Sequence, residues 1–159
     1  MTEVTDKPLT GDTLVPGSAC ARPFVLDKPL SFWGGYDSGA GRIVDRGHPQ
    51  AGACLAGQVL VMPHAKGSSS SSSVLAEAVR HGTGPVAIVL KERDLIISIG
   101  AIVAAELYAI AVPVGCVRDD VYDAIVAATG EVRIEANEGE GGARIHLGDG
   151  TRSGGSGLT

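Results

Sequence analysis

Strand-like and helix-like patterns of apolar residues alternate through the middle of the chain. Residues 58–62 form an apolar run that ends at a proline, as expected of a buried strand. Residues 74–81 then carry apolar side chains at helical spacing, with charged residues on the opposite face. The pattern therefore predicts a strand, a turn rich in glycine and serine, and an amphipathic helix that begins near Ser73 and stops at residues 81–85.

The same alternation continues toward the C-terminus. Residues 86–90 and 112–117 predict two further buried strands, and the nearly all-apolar residues 97–110 predict a helix between them. Residues 119–129 predict another helix, with an aspartate at its N-cap. Strands that alternate with helices predict a parallel sheet with right-handed crossover connections.

The N-terminal part has a different pattern, with short β-like runs separated by turn residues between residues 13 and 45. Residues 30–33 and 42–44 flank a Gly-rich cluster, which predicts a hairpin. A second hairpin is predicted over residues 131–147, where apolar and polar residues alternate on both sides of a Gly-rich turn. The fold class is therefore α/β, with a mostly parallel central sheet and an N-terminal β part that is rich in hairpins.

These patterns predict one domain with short extensions. We assign residues 11–135 to the domain, residues 1–10 to a flexible lead-in and residues 136–147 to a β-hairpin arm. Residues 148–159 are rich in Gly, Ser and Thr, so we expect a disordered tail.

Composition excludes several classes of partner. The net charge is −5 with no basic block, which argues against nucleic acid and against an anionic membrane surface. The apolar residues 95–117 are interrupted by Gly100, Glu106 and Pro113, so we expect no membrane span. The first ten residues lack the apolar stretch of a signal peptide, and we expect a cytoplasmic protein.

The cysteines are not spaced as ligands or as disulfide partners. Cys20, Cys54 and Cys116 are far apart in sequence and form no CxxC pair. We therefore expect small, buried, reduced thiols, and no metal site made by this chain alone.

A run of six serines, residues 68–73, is the most unusual feature of the sequence. Such a run is commonly a flexible linker. Here it lies between a predicted strand and a predicted helix, where open α/β folds bind ligands. Gly67 permits a close backbone approach, Lys66 adds positive charge, and the helix N-terminus supplies N–H donors. The arrangement predicts a carboxylate or phosphate site, although the P-loop signature is absent.

The same turn suits a reactive serine, because a helix terminus or a neighbouring cation can activate a hydroxyl. His64, four residues before Ser68, is the nearest histidine in sequence. A surface position at the strand end explains it more readily than a catalytic role does. The residues alone identify no catalytic triad.

Six segments of the chain resemble a known protein family. The matching segments resemble the small subunit of aconitase X and occur in the same order. They are residues 29–37, 41–49, 56–63, 67–75, 84–90 and 100–108. The resemblance runs through most of residues 11–118.

The resemblance implies a swivelling β/β/α domain in a two-subunit dehydratase. A large subunit would hold an iron–sulfur cluster, and this chain would bind no cofactor alone. Ser68 would be the base that removes a proton α to a carboxylate, and Gly67, Ser69 and Ser70 would line the carboxylate site. Lys66 stands where the family usually has Arg, which keeps the charge but loses bidentate binding.

The resemblance leaves more than one function open. The serine-rich run favours cis-3-hydroxy-L-proline as the small hydroxy-carboxylate substrate, and mevalonate 5-phosphate is the alternative. Swivelling domains also carry phosphohistidine, for which His48 or His64 would be the carrier. A non-catalytic module that binds carboxylates is a further alternative.

Overall fold

The computed structural model describes residues 8–139 and 141–148, which form a mixed β-sheet flanked by helices. Within these residues the strands are β1 (Leu9–Val15), β2 (Gly17–Ala21), β3 (Pro23–Val25), β4 (Tyr36–Asp37), β5 (Arg42–Ile43), β6 (Val59–Val61), β7 (Ala87–Leu90), β8 (Val114–Cys116), β9 (Val132–Ala136) and β10 (Ala143–Leu147). The helices are α1 (Phe32–Gly35), α2 (Ser71–His81), α3 (Leu95–Tyr108) and α4 (Asp119–Val126).

The main sheet has eight strands in the order β2-β9-β10-β1-β8-β7-β6-β3. The four strands at one end, β8, β7, β6 and β3, run parallel to one another. The other pairs are antiparallel, and β1 joins the two parts by pairing with both β8 and β10. The predicted α/β class is confirmed, and so is the combination of a parallel sheet with an N-terminal β part.

The parallel strands form the middle layer of the domain, because an apolar core lies on each of their two faces. Successive side chains of a strand point to opposite faces, so each strand contributes to both cores. Leu60 and Ile88 share one apolar core with Leu75 of α2 and Ile97 of α3. Val59, Val61, Ala87 and Val89 share a second core with side chains from α4, β9 and β10. The layers are therefore helices, parallel strands and antiparallel strands, which is a β/β/α arrangement.

The first strand of the predicted N-terminal hairpin lies a few residues further along the chain than expected, whereas the second is where the sequence predicts it. Residues 30–33 are not a strand, because the buried Leu30 and Phe32 pack into the core and the backbone turns at Gly34, where φ is +80°. The hairpin consists of β4 and β5, in which Tyr36 pairs with Ile43. Apolar content at these positions reflected core packing rather than strand pairing.

Other boundaries differ from the prediction by a few residues. α2 begins at Ser71 rather than near Ser73, and α4 ends at Val126 rather than at residue 129. The predicted second hairpin is present as β9 and β10, and β10 also pairs with β1 inside the main sheet. Most of the predicted lead-in and tail lies outside the described residues, although β1 begins at Leu9.

The cysteines carry free thiols, but their predicted burial is wrong for two of them. Cys20 and Cys54 are exposed, and Cys116 is half-buried at the end of β8. Burial raises the pKa of the Cys116 thiol. In the part of the chain that the structure describes, no helix is long and apolar enough to cross a membrane.

Candidate functional site

The serine run lies at the carboxyl edge of the parallel strands, where the loops after β6 and β7 meet. The Pro63 carbonyl, after β6, accepts hydrogen bonds from the N–H groups of Lys91 (2.9 Å) and Glu92 (3.2 Å), after β7. These bonds fix the start of the loop that leads to Gly67. Residues 67–70, which we call the serine turn, connect this loop to α2.

Position 67 requires a glycine, because the backbone there lies against Ser31. Its φ of +101° is a conformation that favours glycine. A Cβ at this position would lie 2.7 Å from the Ser31 Cβ and closer still to the Ser31 hydroxyl. The predicted close approach at Gly67 is therefore to a neighbouring loop of the same chain.

The serine turn is wound as a helical turn ahead of α2. The N–H groups of Ser71, Ser72 and Ser73 donate to the carbonyls of Ser68, Ser69 and Ser70 at 2.9, 3.2 and 3.1 Å. The first N–H groups of α2 are thus already bonded within the chain. They are not open donors, which corrects part of the expected anion cradle.

The open part of the site lies in the first residues of the turn. Lys66, Gly67, Ser68 and Ser69 are exposed, and Ser70 is half-buried. Within the described residues no acceptor lies within hydrogen-bonding distance of the Ser68 and Ser69 N–H groups. These two donors therefore lie on exposed residues beside the exposed Lys66, and backbone donors of this kind bind anions in other proteins.

Ser68 has a polar contact that bears on its reactivity. The N–H of Ser70 donates to the Ser68 Oγ at 3.1 Å. Ser70 is the N-cap of α2 but forms no side-chain capping bond. The N–H donor and the helix N-terminus both stabilise negative charge on the Ser68 oxygen.

Ser71 has a structural role that the sequence did not predict. It is 2% exposed, and its Oγ accepts a hydrogen bond from the Trp33 N–H at 2.9 Å. The Ser31 hydroxyl donates to the Trp33 carbonyl at 2.9 Å, next to Gly67. Residues 31–33 are therefore hydrogen-bonded to Ser71 at the start of α2, and Ser31 packs against Gly67 at the other end of the serine turn. The sequence feature that could have pointed to this segment is its tryptophan, which is followed by glycines at positions 34 and 35.

The two candidate histidines have different environments. His48 is 5% exposed, its Nδ1 accepts from the Gln50 N–H at 3.0 Å, and its Nε2 lies 2.9 Å from the Lys28 carbonyl oxygen. Both ring nitrogens are engaged, so His48 holds two loops together and is not placed as a phosphate carrier. His64 is half-buried, with its Nδ1 3.1 Å from the Ala65 carbonyl oxygen.

Within residues 8–139 and 141–148, no three His, Cys, Asp or Glu side chains are grouped as metal ligands. The three thiols lie in β2, in the loop after β5 and at the end of β8. The described residues therefore do not fit an iron–sulfur cluster, which needs clustered thiolates.

Comparison with known proteins gives the family. The sequence model of the aconitase X swivel domain matches residues 8–141. A cis-3-hydroxy-L-proline dehydratase of Pseudomonas aeruginosa is 44% identical over 107 residues, which cover 67% of this chain and 18% of that protein. The chain thus spans less than a fifth of the length of this relative.

Two other relatives are closer to this chain in length. The phosphomevalonate dehydratase small subunit of Methanothermobacter thermautotrophicus is 34% identical over 116 residues, covering 73% of this chain and 84% of that one. The crystal structure of Thermococcus kodakaraensis aconitase X (holo-form) has a TM-score of 0.72 at 27% identity, covering 91% of this chain and 100% of that one. With its β/β/α layers and its serine turn, the chain belongs to the aconitase X swivel domain family.

Proposed function

We propose that this chain is the small subunit of a two-subunit dehydratase in which Ser68 removes the proton α to the substrate carboxylate. One observation carries the assignment: the exposed Ser68 Oγ receives the Ser70 N–H at 3.1 Å, at the N-terminus of α2. The substrate that we propose is cis-3-hydroxy-L-proline.

The local geometry supports a basic oxygen at Ser68. A serine hydroxyl is a weak base unless its alkoxide form is stabilised. A hydrogen bond to a charged group contributes about 1.5–3 kcal/mol, and a helix N-terminus adds about 0.3–1 kcal/mol when exposed. Both stabilise the oxygen more strongly when it is charged than when it is a neutral hydroxyl, which is the requirement for catalysis.

The neighbouring groups suit the substrate carboxylate. The N–H groups of Ser68 and Ser69 point to no acceptor among the described residues. With the hydroxyls of Ser69 and Ser70 and the charge of Lys66, they supply the kinds of donor that a carboxylate needs. Gly67, pressed against Ser31, sets the position of this site relative to α2.

A partner must supply the remaining chemistry. Hydroxide is a poor leaving group, and a Lewis-acidic metal centre such as an iron–sulfur cluster assists its departure. Because the described residues of this chain do not fit such a cluster, we assign it to the large subunit and derive no step through it. This chain's contribution is the proton acceptor and part of the carboxylate site.

Two relatives support two substrates. The 44% identity to the Pseudomonas aeruginosa cis-3-hydroxy-L-proline dehydratase favours hydroxyproline. The match to 84% of the Methanothermobacter thermautotrophicus phosphomevalonate dehydratase small subunit favours mevalonate 5-phosphate as the second candidate. Assay of the complex with both compounds distinguishes them.

The test is co-expression with the aconitase X large subunit of the same organism. We expect the complex to dehydrate cis-3-hydroxy-L-proline, and Ser68→Ala to lower kcat by about 10²–10⁴-fold, the usual contribution of an acid–base group. Ser73→Ala, an exposed serine two residues into α2, is the matched control and should retain activity. Full activity in Ser68→Ala would refute the assignment.

A binding role without catalysis gives a different result. In that case the purified chain alone would bind hydroxyproline tightly, and the complex would turn over neither substrate. Isothermal titration of the isolated chain measures this directly.

A further inference from the structure

Trp33 is held at the surface by its own backbone. Its side chain is 58% exposed, whereas Leu30 and Phe32, on either side of it in the chain, are fully buried. The Trp33 N–H donates to the Ser71 Oγ at 2.9 Å, and the Trp33 carbonyl accepts from the Ser31 hydroxyl at 2.9 Å. Because both of its backbone polar groups are bonded and its neighbours occupy the core, the indole is kept at a fixed place outside the core.

The same bonds connect Trp33 to the serine turn. The Ser31 hydroxyl that donates to Trp33 also fills the space beside Gly67, since a Cβ on that glycine would overlap it. Ser71, which accepts from the Trp33 N–H, donates its own N–H to the Ser68 carbonyl at 2.9 Å. The indole therefore starts from a backbone that is one hydrogen-bonded residue away from Ser68.

The surface next to the indole is open. Gly34 follows Trp33 with a φ of +80°, and a Cβ there would meet nothing within 4 Å. Any other residue at this position would strain the backbone and would place a side chain in that space. A small molecule can therefore lie beside Trp33 while it contacts the serine turn.

The proposed substrate has parts that the serine turn does not suit. cis-3-Hydroxy-L-proline carries a carboxylate, a secondary ammonium group and ring methylene carbons. The backbone N–H groups, the serine hydroxyls and Lys66 suit the carboxylate alone. The face of an indole suits the other two parts, because it is apolar and carries the negative side of the ring quadrupole. Mevalonate 5-phosphate has neither a ring nor a cation, and the same face repels its phosphate.

We infer that Trp33 is a specificity residue, whose indole face binds the pyrrolidinium ring while the serine turn holds the carboxylate. The inference rests on the proposed function, because that function supplies the substrate and the place of its carboxylate. Trp33 contacts no reacting atom in this arrangement. Its contribution is to favour a cyclic amino acid over an acyclic phosphate.

Two variants of Trp33 separate its aromatic character from its size. Trp33→Phe keeps an aromatic face, and Trp33→Leu keeps an apolar side chain without one. Tyr108→Leu is the control, because Tyr108 is an aromatic residue with 36% exposure at the end of α3. That helix starts at the edge of the sheet where the serine turn lies and carries Tyr108 about 20 Å toward the opposite edge.

The first experiment is titration calorimetry of each variant in complex with the large subunit. The probe is L-proline, which has the ring, the cation and the carboxylate but no hydroxyl to lose. We expect Trp33→Leu to weaken its binding about tenfold and Trp33→Phe to weaken it about threefold, since the cation then loses all or part of an aromatic face. Tyr108→Leu should bind L-proline as the unsubstituted chain does. Cyclopentanecarboxylate, which lacks the cation, should bind equally to all four complexes.

Steady-state kinetics gives a second measure of the same contact. Because Trp33 contacts no reacting atom, Trp33→Leu should raise the KM for cis-3-hydroxy-L-proline and leave kcat unchanged. Thermal melting of each variant alone establishes that folding is retained. Equal affinity of L-proline for the unsubstituted and Trp33→Leu complexes would overturn the inference.

A third readout locates the ligand, because Trp33 is the only tryptophan of this chain. Labelled with 5-fluorotryptophan and assembled with the unlabelled large subunit, the chain gives one ¹⁹F resonance from itself. Addition of L-proline should shift this resonance, and an unchanged resonance at saturating L-proline contradicts the inference. Failure of both Trp33 variants to form the complex also contradicts it, since the indole would then belong to the subunit interface.

These outcomes are distinguishable from failure of the proposed function. Full activity of Ser68→Ala rejects the proposed base, while a loss of L-proline affinity in Trp33→Leu leaves the specificity residue standing. A complex that dehydrates cis-3-hydroxy-L-proline and binds L-proline equally well with Trp33→Leu rejects this inference alone.

Discussion

Replacement of Gly67 by alanine tests how the serine turn is held in place. The glycine has a φ of +101°, in which a side chain is strained, and it faces Ser31. Rotation of the Ser31 side chain could clear its hydroxyl, but its Cβ, 2.7 Å from the added methyl carbon, is fixed to the backbone. A methyl group at position 67 would therefore force the loop that contains Ser31 to move.

The expected destabilisation has two parts. A positive φ in a residue with a Cβ costs about 1–2 kcal/mol. Displacement of Ser31 breaks its 2.9 Å hydrogen bond to the Trp33 carbonyl, and such a bond contributes about 1 kcal/mol. We expect Gly67→Ala to lower the free energy of unfolding by about 2–3 kcal/mol, the sum of the two.

Urea denaturation of the isolated chain measures this change. Gly52→Ala is the matched control, because Gly52 has a φ of +93° and a Cβ there would meet nothing within 4 Å. It should carry only the backbone part, about 1–2 kcal/mol. In a Ser31→Gly background, Gly67→Ala should destabilise no more than Gly52→Ala does. Equal destabilisation by the two alanine variants in the original background would refute the reasoning.

Three further predictions concern the surrounding structure. Ser71→Ala leaves the Trp33 N–H without its buried acceptor and should destabilise by about 1–3 kcal/mol in urea, whereas Ser73→Ala, exposed on the same helix, should not. Asp94→Ala removes the side-chain cap of α3, a 2.8 Å bond, and should lower stability by about 1 kcal/mol; Asp94→Asn should retain most of it. Burial raises the pKa of Tyr122 to about 12 from 10.0, so the unfolded chain ionises first and stability falls between these two pH values. Tyr122→Phe should lessen that fall, and identical curves would contradict the assignment.

The sequence alone determined the order of the central elements. Residues 58–62 and 86–90 were predicted as buried strands because both faces of a sheet between two layers are apolar, and β6 and β7 are entirely buried there. Because both faces of such a sheet are buried, the apolar run can be recognised in the sequence without knowing which elements pack against it. The amphipathic pattern of α2 was equally local, since one face meets the core and the other meets water.

The sequence also located the candidate site but not its internal arrangement. A glycine followed by serines between a strand and a helix was sufficient to indicate an anion-binding turn at Gly67. Six identical side chains, however, carry no information about which of them is buried. Ser68 and Ser71 differ only because the first faces solvent and the second accepts a hydrogen bond from Trp33.

Only the tertiary structure decided the features that join distant segments. The contact between Ser31 and Gly67 spans 36 positions of sequence, and no local pattern encodes it. The same holds for α3: its sequence is apolar all round, and which of its faces is buried depends on how Gly100 packs against α2. Local propensity is a property of neighbours in the chain, whereas burial and close approach are set by the fold, and these decide which serine is buried and which is exposed to solvent.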